Sequence, residues 1–324
     1  MEDMKEETNL RILVAIDHSG QSLDSAAYIS RMVHPHQTLV VLFHVESDFF
    51  DIFYDYEKND PVDLPGASHF SDWIDIQKRS IDINLEQAEQ LFLRAGFPKK
   101  NISIVKRPML NGIARDILHE SQRGYDLLVT GKSGASALAH GLTGTVTSKL
   151  MSRTPSIPLV VVAGHPETEN VVFGYDGSQG ANDAVASAGY ILRKDMESIF
   201  LCHVIRTINV SASNFIQEYR SIHHSHLPEI ESALTTMRRE QMGPKINSAC
   251  QVLVKLGFSP STIRFSFIDR TTSRSHALIT MAKKQPCGTL VVGRRGHSAV
   301  EEFFMGRVGR KTVELAVNLA VWII

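Results

Sequence analysis

Apolar residues in this chain come in short runs separated by longer stretches of mixed pattern. The runs at 10–17 (LRILVAID), 38–45 (TLVVLFHV), 101–106, 126–130 and 158–162 are rich in Val, Ile and Leu, with no polar alternation. Such runs predict strands buried on both faces, as a parallel sheet covered by helices requires. Helical stretches are expected between them, over 21–33, 75–95, 112–122 and 144–152. Strand and helix alternating at this spacing imply right-handed crossovers and a doubly wound sheet.

The same order then recurs. Strands are expected near 170–176, 198–205, 262–267, 288–292 and 319–324, with a long helix near 228–256. LRILVAID followed by His18-Ser19 matches NVVFGYD followed by Gly177-Ser178, and LVVLFHV at 39–45 matches IFLCHV at 199–204. Ala95-Gly96-Phe97 pairs with Leu256-Gly257-Phe258, and LLVTG at 127–131 with TLVVG at 289–293. Four matches in order, at an offset of about 160 residues, predict a duplicated domain. The expected division is 1–164 and 165–324, with His165-Pro166-Glu167-Thr168-Glu169 as the linker. A length of 324 residues fits two domains of roughly 150 each.

Charge and cysteine content narrow the function classes. The formal net charge is −1, so no global basic excess drives nucleic-acid binding. Cys202, Cys250 and Cys287 are too few and too far apart for a disulfide framework or a CxxC zinc site. They fit a reducing cytoplasm. The opening MEDMKEETNL is acidic and polar, unlike a secretory leader, and no apolar run reaches spanning length, so no membrane role is expected.

Ligands of doubly wound sheets bind beyond the carboxyl ends of the strands, where strand order reverses. There the first half carries Ala15-Ile16-Asp17, His44-Val45 and Gly131-Lys132-Ser133-Gly134, then Gly144-Thr145 opening a helix. Glycines allow close backbone approach, and a helix start favours an anion. Asp17 can accept from a ribose hydroxyl or an adenine amine, Val45 offers an apolar wall to a base, and the Thr145 hydroxyl can bond a phosphate. The alternative reading of Asp17, and of Ser19, is a helix N-cap or turn residue. A Walker A loop is excluded, because Asp126 stands where its first glycine belongs, and no GxGxxG follows strand one. His44 and His203 recur at matching positions and suit structural hydrogen bonds. His223-His224-Ser225-His226 has the spacing of neither a helical HExxH nor a zinc knuckle and reads as a solvated loop or helix start, so no metal site is expected. The aromatic and acidic segment 46–74 reads as a surface insertion or a lid. No nucleophile and base can be paired, so catalysis beyond a slow ATPase is not expected.

The spacing G-x2-G-x9-G-T, with VAIDHS at 14–19, HV at 44–45, YDLLVTG at 125–131 and PLVVV at 158–162, resembles the universal stress protein family across nearly the whole chain, in two tandem copies. The resemblance implies five parallel strands per domain in order 3-2-1-4-5 and pairing of the domains through their last strands as an internal pseudo-dimer. It also implies an adenine nucleotide, ATP or AMP or ADP with Mg²⁺, at Ala15, Ile16, Asp17, Val45, Thr130, Gly131, Gly134, Gly144, Thr145 and Val146. In the second half Asp176, Val204, Gly293, Gly296 and Gly306 keep the spacing, but Arg307 replaces the hydroxyl residue. An altered or lost second site is expected there. The implied role is a nucleotide-dependent stress sensor or regulator acting on an unidentified protein partner, as a monomer or homodimer. The alternatives are a slow ATP hydrolase or phosphotransferase and a ligand-free assembly module.

Overall fold

The computed structural model describes residues 10–46, 67–133, 143–153, 157–206, 227–271, 273–294 and 306–324. In the first half β1 (Leu10–Ala15) leads to α1 (Gly20–Met32), then β2 (Thr38–Glu46), α2 (Ala67–Arg94), β3 (Ile102–Pro108), α3 (Ile113–Ser121), β4 (Leu127–Gly131), α4 (Thr145–Arg153) and β5 (Leu159–Ala163). The second half repeats this with β6 (Asn170–Gly174), α5 (Gln179–Ile191), β7 (Ser198–Arg206), α6 (Leu227–Lys255), β8 (Ile263–Thr271), α7 (Arg274–Lys284), β9 (Thr289–Val292), α8 (Arg307–Leu315) and β10 (Leu319–Ile323). All ten strands form one sheet, in the order β3-β2-β1-β4-β5-β10-β9-β6-β7-β8.

Each half is thus a parallel five-stranded sheet in order 3-2-1-4-5. The halves join where β5 and β10 pair antiparallel, Val161 opposite Val321. β4, β5 and β10 are buried at every position, which is why these runs carry no polar alternation. Side chains of one sheet face pack with α1, α2, α5 and α6, around Tyr28, Phe92, Leu253 and Trp322. Those of the other face pack with α3, α4, α7 and α8, around Ile117, Leu150, Leu278 and Val313. Both apolar layers run unbroken across the junction.

One polar group spans that junction inside the core. Tyr28 on α1 accepts through its hydroxyl from Trp322 Nε1 at 2.8 Å and pairs with Thr289 Oγ1 at 2.7 Å. All three side chains are fully buried. Burial pushes the Tyr28 phenol well above its usual range, so it stays neutral and bonded.

Local signals in the sequence account for the helix starts. Ser19 caps α1, its side chain accepting from Ser22 N, and Ser178 caps α5 from Ala181 N. Gly288 opens β9 where Glu167 passes: a Cβ there would lie 2.1 Å from Glu167 O, so only glycine fits. Among the described residues no helix is long and apolar enough to cross a membrane.

Candidate functional site

β1 and β4 are neighbours, with Val14 beside Val129, and their connections depart to opposite faces of the sheet. This is the topological switch point of the first half, and Asp17 and Gly131 stand on its two sides. Ile16 is buried. Its amide donates to Phe43 O at 2.9 Å and its carbonyl accepts from His44 Nδ1 at 2.8 Å. That bond fixes the His44 tautomer, while burial lowers its basicity. Ala15 ends β1, half-buried, and Val45 is buried near the end of β2.

Asp17 serves the turn through one oxygen. Its Oδ1 accepts from Ser19 N at 2.9 Å and from Ser19 Oγ. Its carbonyl accepts from Asn84 Nδ2 at 2.9 Å and Ser22 Oγ at 3.0 Å, which ties α2 to the end of β1. The capping role is therefore real for Ser19, with Asp17 bracing the cap.

Gly131 lies close against the first turn of α1. A Cβ there would lie 3.2 Å from Gln21 O and 3.3 Å from Gln21 Cβ. The close approach expected for a ligand is thus made first by the opening turn of α1. The loop beyond is closed by its own amides: Lys132 N donates to Val162 O, Ser133 N to Gln21 Oε1 and Gly144 N to Lys132 O, at 2.7, 3.0 and 2.8 Å. Thr147 Oγ1 donates to Gly131 O at 2.7 Å. The amides of 132, 133 and 144 are therefore engaged within the protein. The first intrahelical bond of α4 is Ser148 N to Gly144 O at 2.9 Å, so the amides of Thr145, Val146 and Thr147 precede it. Capacity for an anion falls on this turn, where Thr145 is exposed and Val146 half-buried. Thr130 is buried in β4. Gly134 lies outside the described residues, as do Gly296 and the histidine run at 223–226.

Two contributors escape sequence reading. His18 Nδ1 and Thr143 Oγ1 are buried polar atoms with no hydrogen-bond partner among the described residues. In the chain the first directly follows Asp17 and the second directly precedes Gly144. Buried polar atoms are nearly always hydrogen-bonded, so two without a partner are a reason to look for a polar ligand beside β1 and α4. His18 lies inside the VAIDHS run but has no role assigned from sequence, and Thr143 is not flagged at all; the signal is burial without a partner, which only coordinates reveal.

The second half repeats the frame with other contents. His203 Nδ1 donates to Tyr175 O at 2.9 Å, Ser178 N to Asp176 Oδ1 at 3.0 Å, and Gly306 N to Arg294 O at 2.9 Å. Val204 is buried, as its counterpart Val45 is. Gly293 lies against α5, where a Cβ would meet Gly180 O at 2.6 Å. Lys245 stands thirteen residues before Phe258, as Asn84 does before Phe97. Its chain lies over Gly177, where a Cβ would be 2.6 Å from Lys245 Cδ. Arg307 is the exposed first residue of α8.

A cleft of about 510 Å³ lies elsewhere, between the ends of α1 and α5, lined by Arg31, His34, Arg193 and Lys194 among others. Its cations are largely used as helix caps: Arg31 Nε donates to Ala27 O, and Lys194 Nζ to Gly189 O and Tyr190 O. It is therefore not the candidate site.

The universal stress protein family profile matches this chain twice, over residues 8–163 and 167–318. A universal stress protein of Mycolicibacterium smegmatis is 23% identical over 186 residues, a match spanning 56% of this chain and 59% of that protein. Among solved structures, a universal stress protein from Archaeoglobus fulgidus DSM 4304 superposes with a TM-score of 0.59 at 15% identity, covering 97% of both chains. A functionally unknown protein from Pseudomonas aeruginosa PAO1 gives 0.54 at 13% identity, covering 98% of this chain and 93% of its own. With both halves matched by the family profile and the fold shared end to end, this chain belongs to the universal stress protein family as a tandem pair of its domains.

Proposed function

We propose that the first half, residues 1–164, binds an adenine nucleotide, ATP or its AMP or ADP relatives. The phosphates lie at the first turn of α4, against Gly131, Gly144, Thr145 and Val146, with Gly134 completing the loop. Asp17 holds the nucleoside through the carboxylate oxygen not engaged with Ser19, and Val45 walls the base. Ala15, Ile16 and Thr130 form the floor. Mg²⁺ bound with ATP would neutralise part of the triphosphate charge. The observation that carries this reading is the pair of buried atoms, His18 Nδ1 next to Asp17 and Thr143 Oγ1 next to Gly144, that have no hydrogen-bond partner among the described residues.

The protein acts as a sensor or regulator in the cytoplasm. Nucleotide stabilises the folded crevice by mass action and biases the surface a protein partner meets. The second half, 165–324, takes nucleotide weakly or not at all, because Lys245 covers the turn at Gly177 and Arg307 replaces the hydroxyl residue. A reducing compartment suits the thiols: burial pushes Cys202 and Cys287 up to about 12, where neither is a nucleophile.

Calorimetric titration of the full chain with ATP and Mg²⁺ tests this. One site is expected, and Gly144→Val, which crowds the loop, should weaken it by at least about tenfold, ~1.4 kcal/mol. No heat with the wild type, or equal affinity in the variant, defeats the reading. Steady phosphate release during the titration would favour the slow hydrolase instead.

A further inference from the structure

The loop residues Lys132 and Arg294 reach across the molecule in reciprocal fashion. Lys132 directly follows Gly131, and its backbone belongs to the first-half loop: its amide donates to Val162 O and its carbonyl accepts from Gly144 N. Its side chain leaves that loop. It is buried, and Nζ donates to Glu314 O at 2.8 Å and Ala316 O at 2.9 Å, at the last turn of α8 in the other half. Arg294 directly follows Gly293. Its carbonyl accepts from Gly306 N, and its guanidinium donates to Ile157 O at 3.0 Å, just beyond α4 in the first half.

Each loop is therefore bonded through its backbone to the start of its own helix. Through its side chain it is bonded at or just beyond the end of the opposite one. The last carbonyls of a helix lack intrahelical donors and carry the negative end of its dipole, so a buried ammonium there is a strong tie. The helix α8 has nine residues, about 13 Å of length, and Arg307 begins it. A rod this short passes a displacement of its last turn to its first. Static capping alone would need no link to the glycine loop, yet both halves draw the donor from the residue next to that loop's first glycine.

We propose that these crossed contacts couple the two glycine loops, so that nucleotide held by the first half orders α8 and the anion position at Arg307 in the second. The coupling rests on the nucleotide reading above. Lys132 is here a positioning residue; its side chain does not touch the ligand.

Hydrogen exchange of the full chain, with and without ATP and Mg²⁺, reads both segments at once. In the wild type, exchange should slow at 145–153 and, by about fivefold, at 307–316. Lys132→Met should keep the response at 145–153 and lose that at 307–316, while Lys132→Arg, still a donor of similar reach, should keep both. At an ATP concentration that just saturates the wild type, Gly144→Val should weaken both responses together. The coupling is overturned if 307–316 slows equally in Lys132→Met, if it slows in Gly144→Val at an ATP concentration that leaves 145–153 of that variant unchanged, or if it stays unchanged in the wild type while 145–153 responds. Silence at 145–153 in the wild type defeats the nucleotide reading itself, and the coupling with it. Should Lys132→Met not fold, Lys132→Gln, too short to reach both carbonyls, is read in the same way.

Discussion

At the end of β1, His44 donates to Ile16 O, Asp17 braces Ser19 and Gly144 N closes the loop onto Lys132 O. At the end of β6, His203 donates to Tyr175 O, Asp176 braces Ser178 and Gly306 N closes onto Arg294 O. Every one of these bonds holds backbone in place. The differences fall on residues around these turns: His18 against Gly177, Asn84 against Lys245, Thr145 against Arg307. Duplication has kept the frame and released the lining. A spacing pattern read from sequence therefore reports the frame, and says less about what the crevice accepts.

The most disruptive way to test the comparison lies at the paired positions Asp126 and Gly288. Gly288→Ala should cost about 3 kcal/mol, because the new methyl meets Glu167 backbone that cannot yield. Asp126→Ala removes one acceptor from Arg11 N and should cost only about 1 kcal/mol. Denaturation midpoints of the two variants check the ranking; equal losses would mean that the halves meet their neighbours alike.

Next in size is the buried hydroxyl at the junction. Tyr28→Phe strands Trp322 Nε1 and Thr289 Oγ1 and should cost about 2 kcal/mol. Ser187, the counterpart of Tyr28 in α5, should tolerate Ala within about 0.5 kcal/mol. Thermal melts of both variants decide the matter, and a silent Tyr28→Phe would contradict the role given to this hydroxyl.

Converting the second crevice sharpens the comparison further. Lys245→Asn combined with Arg307→Thr copies the first-half lining at two positions. It should raise ATP affinity of the second half at least about tenfold, ~1.4 kcal/mol. Calorimetric stoichiometry would then move from one site towards two; an unchanged single site would show that Lys245 and Arg307 are not what sets the halves apart.

The smallest effect expected is common to both halves. Burial holds His44 and His203 below the ordinary imidazole range. Each contributes stability that is present above the unfolded imidazole value, near 6.5, and lost as pH falls through it, because the unfolded chain takes up the proton first. Melting temperature should therefore drop on acidification below neutrality. His44→Gln and His203→Gln should each flatten that slope by a similar amount; a steeper slope in either would reverse the sign argued here.

Much of this was legible in the residues. Unalternated Val, Ile and Leu runs announced strands covered on both faces, and matches such as LLVTG with TLVVG announced the repeat. The capping serines stood where side-chain chemistry wants them. The partners of single atoms were not legible. Gly131 read as room for a ligand, yet its missing Cβ first makes room for Gln21. Lys132 read as a loop residue, yet its ammonium is buried against carbonyls 182 and 184 residues away. Local spacing carries no record of contacts made across a pseudo-twofold junction. His18 and Thr143 stayed silent for a related reason, since an unmet hydrogen-bonding need exists only once neighbours are placed.

The Tyr28 hydroxyl also decides which halves belong together. If two copies of the first half mated through their last strands, that phenol would face Leu127 and Val160, the counterparts of Thr289 and Trp322. Two hydroxyls would then sit in hydrocarbon with nothing to bond, a penalty of a few kcal/mol per pair. Only the mixed pairing, first half with second, answers the group. A nascent chain awaiting its own carboxyl-terminal half is thereby discouraged from capturing a neighbour emerging beside it.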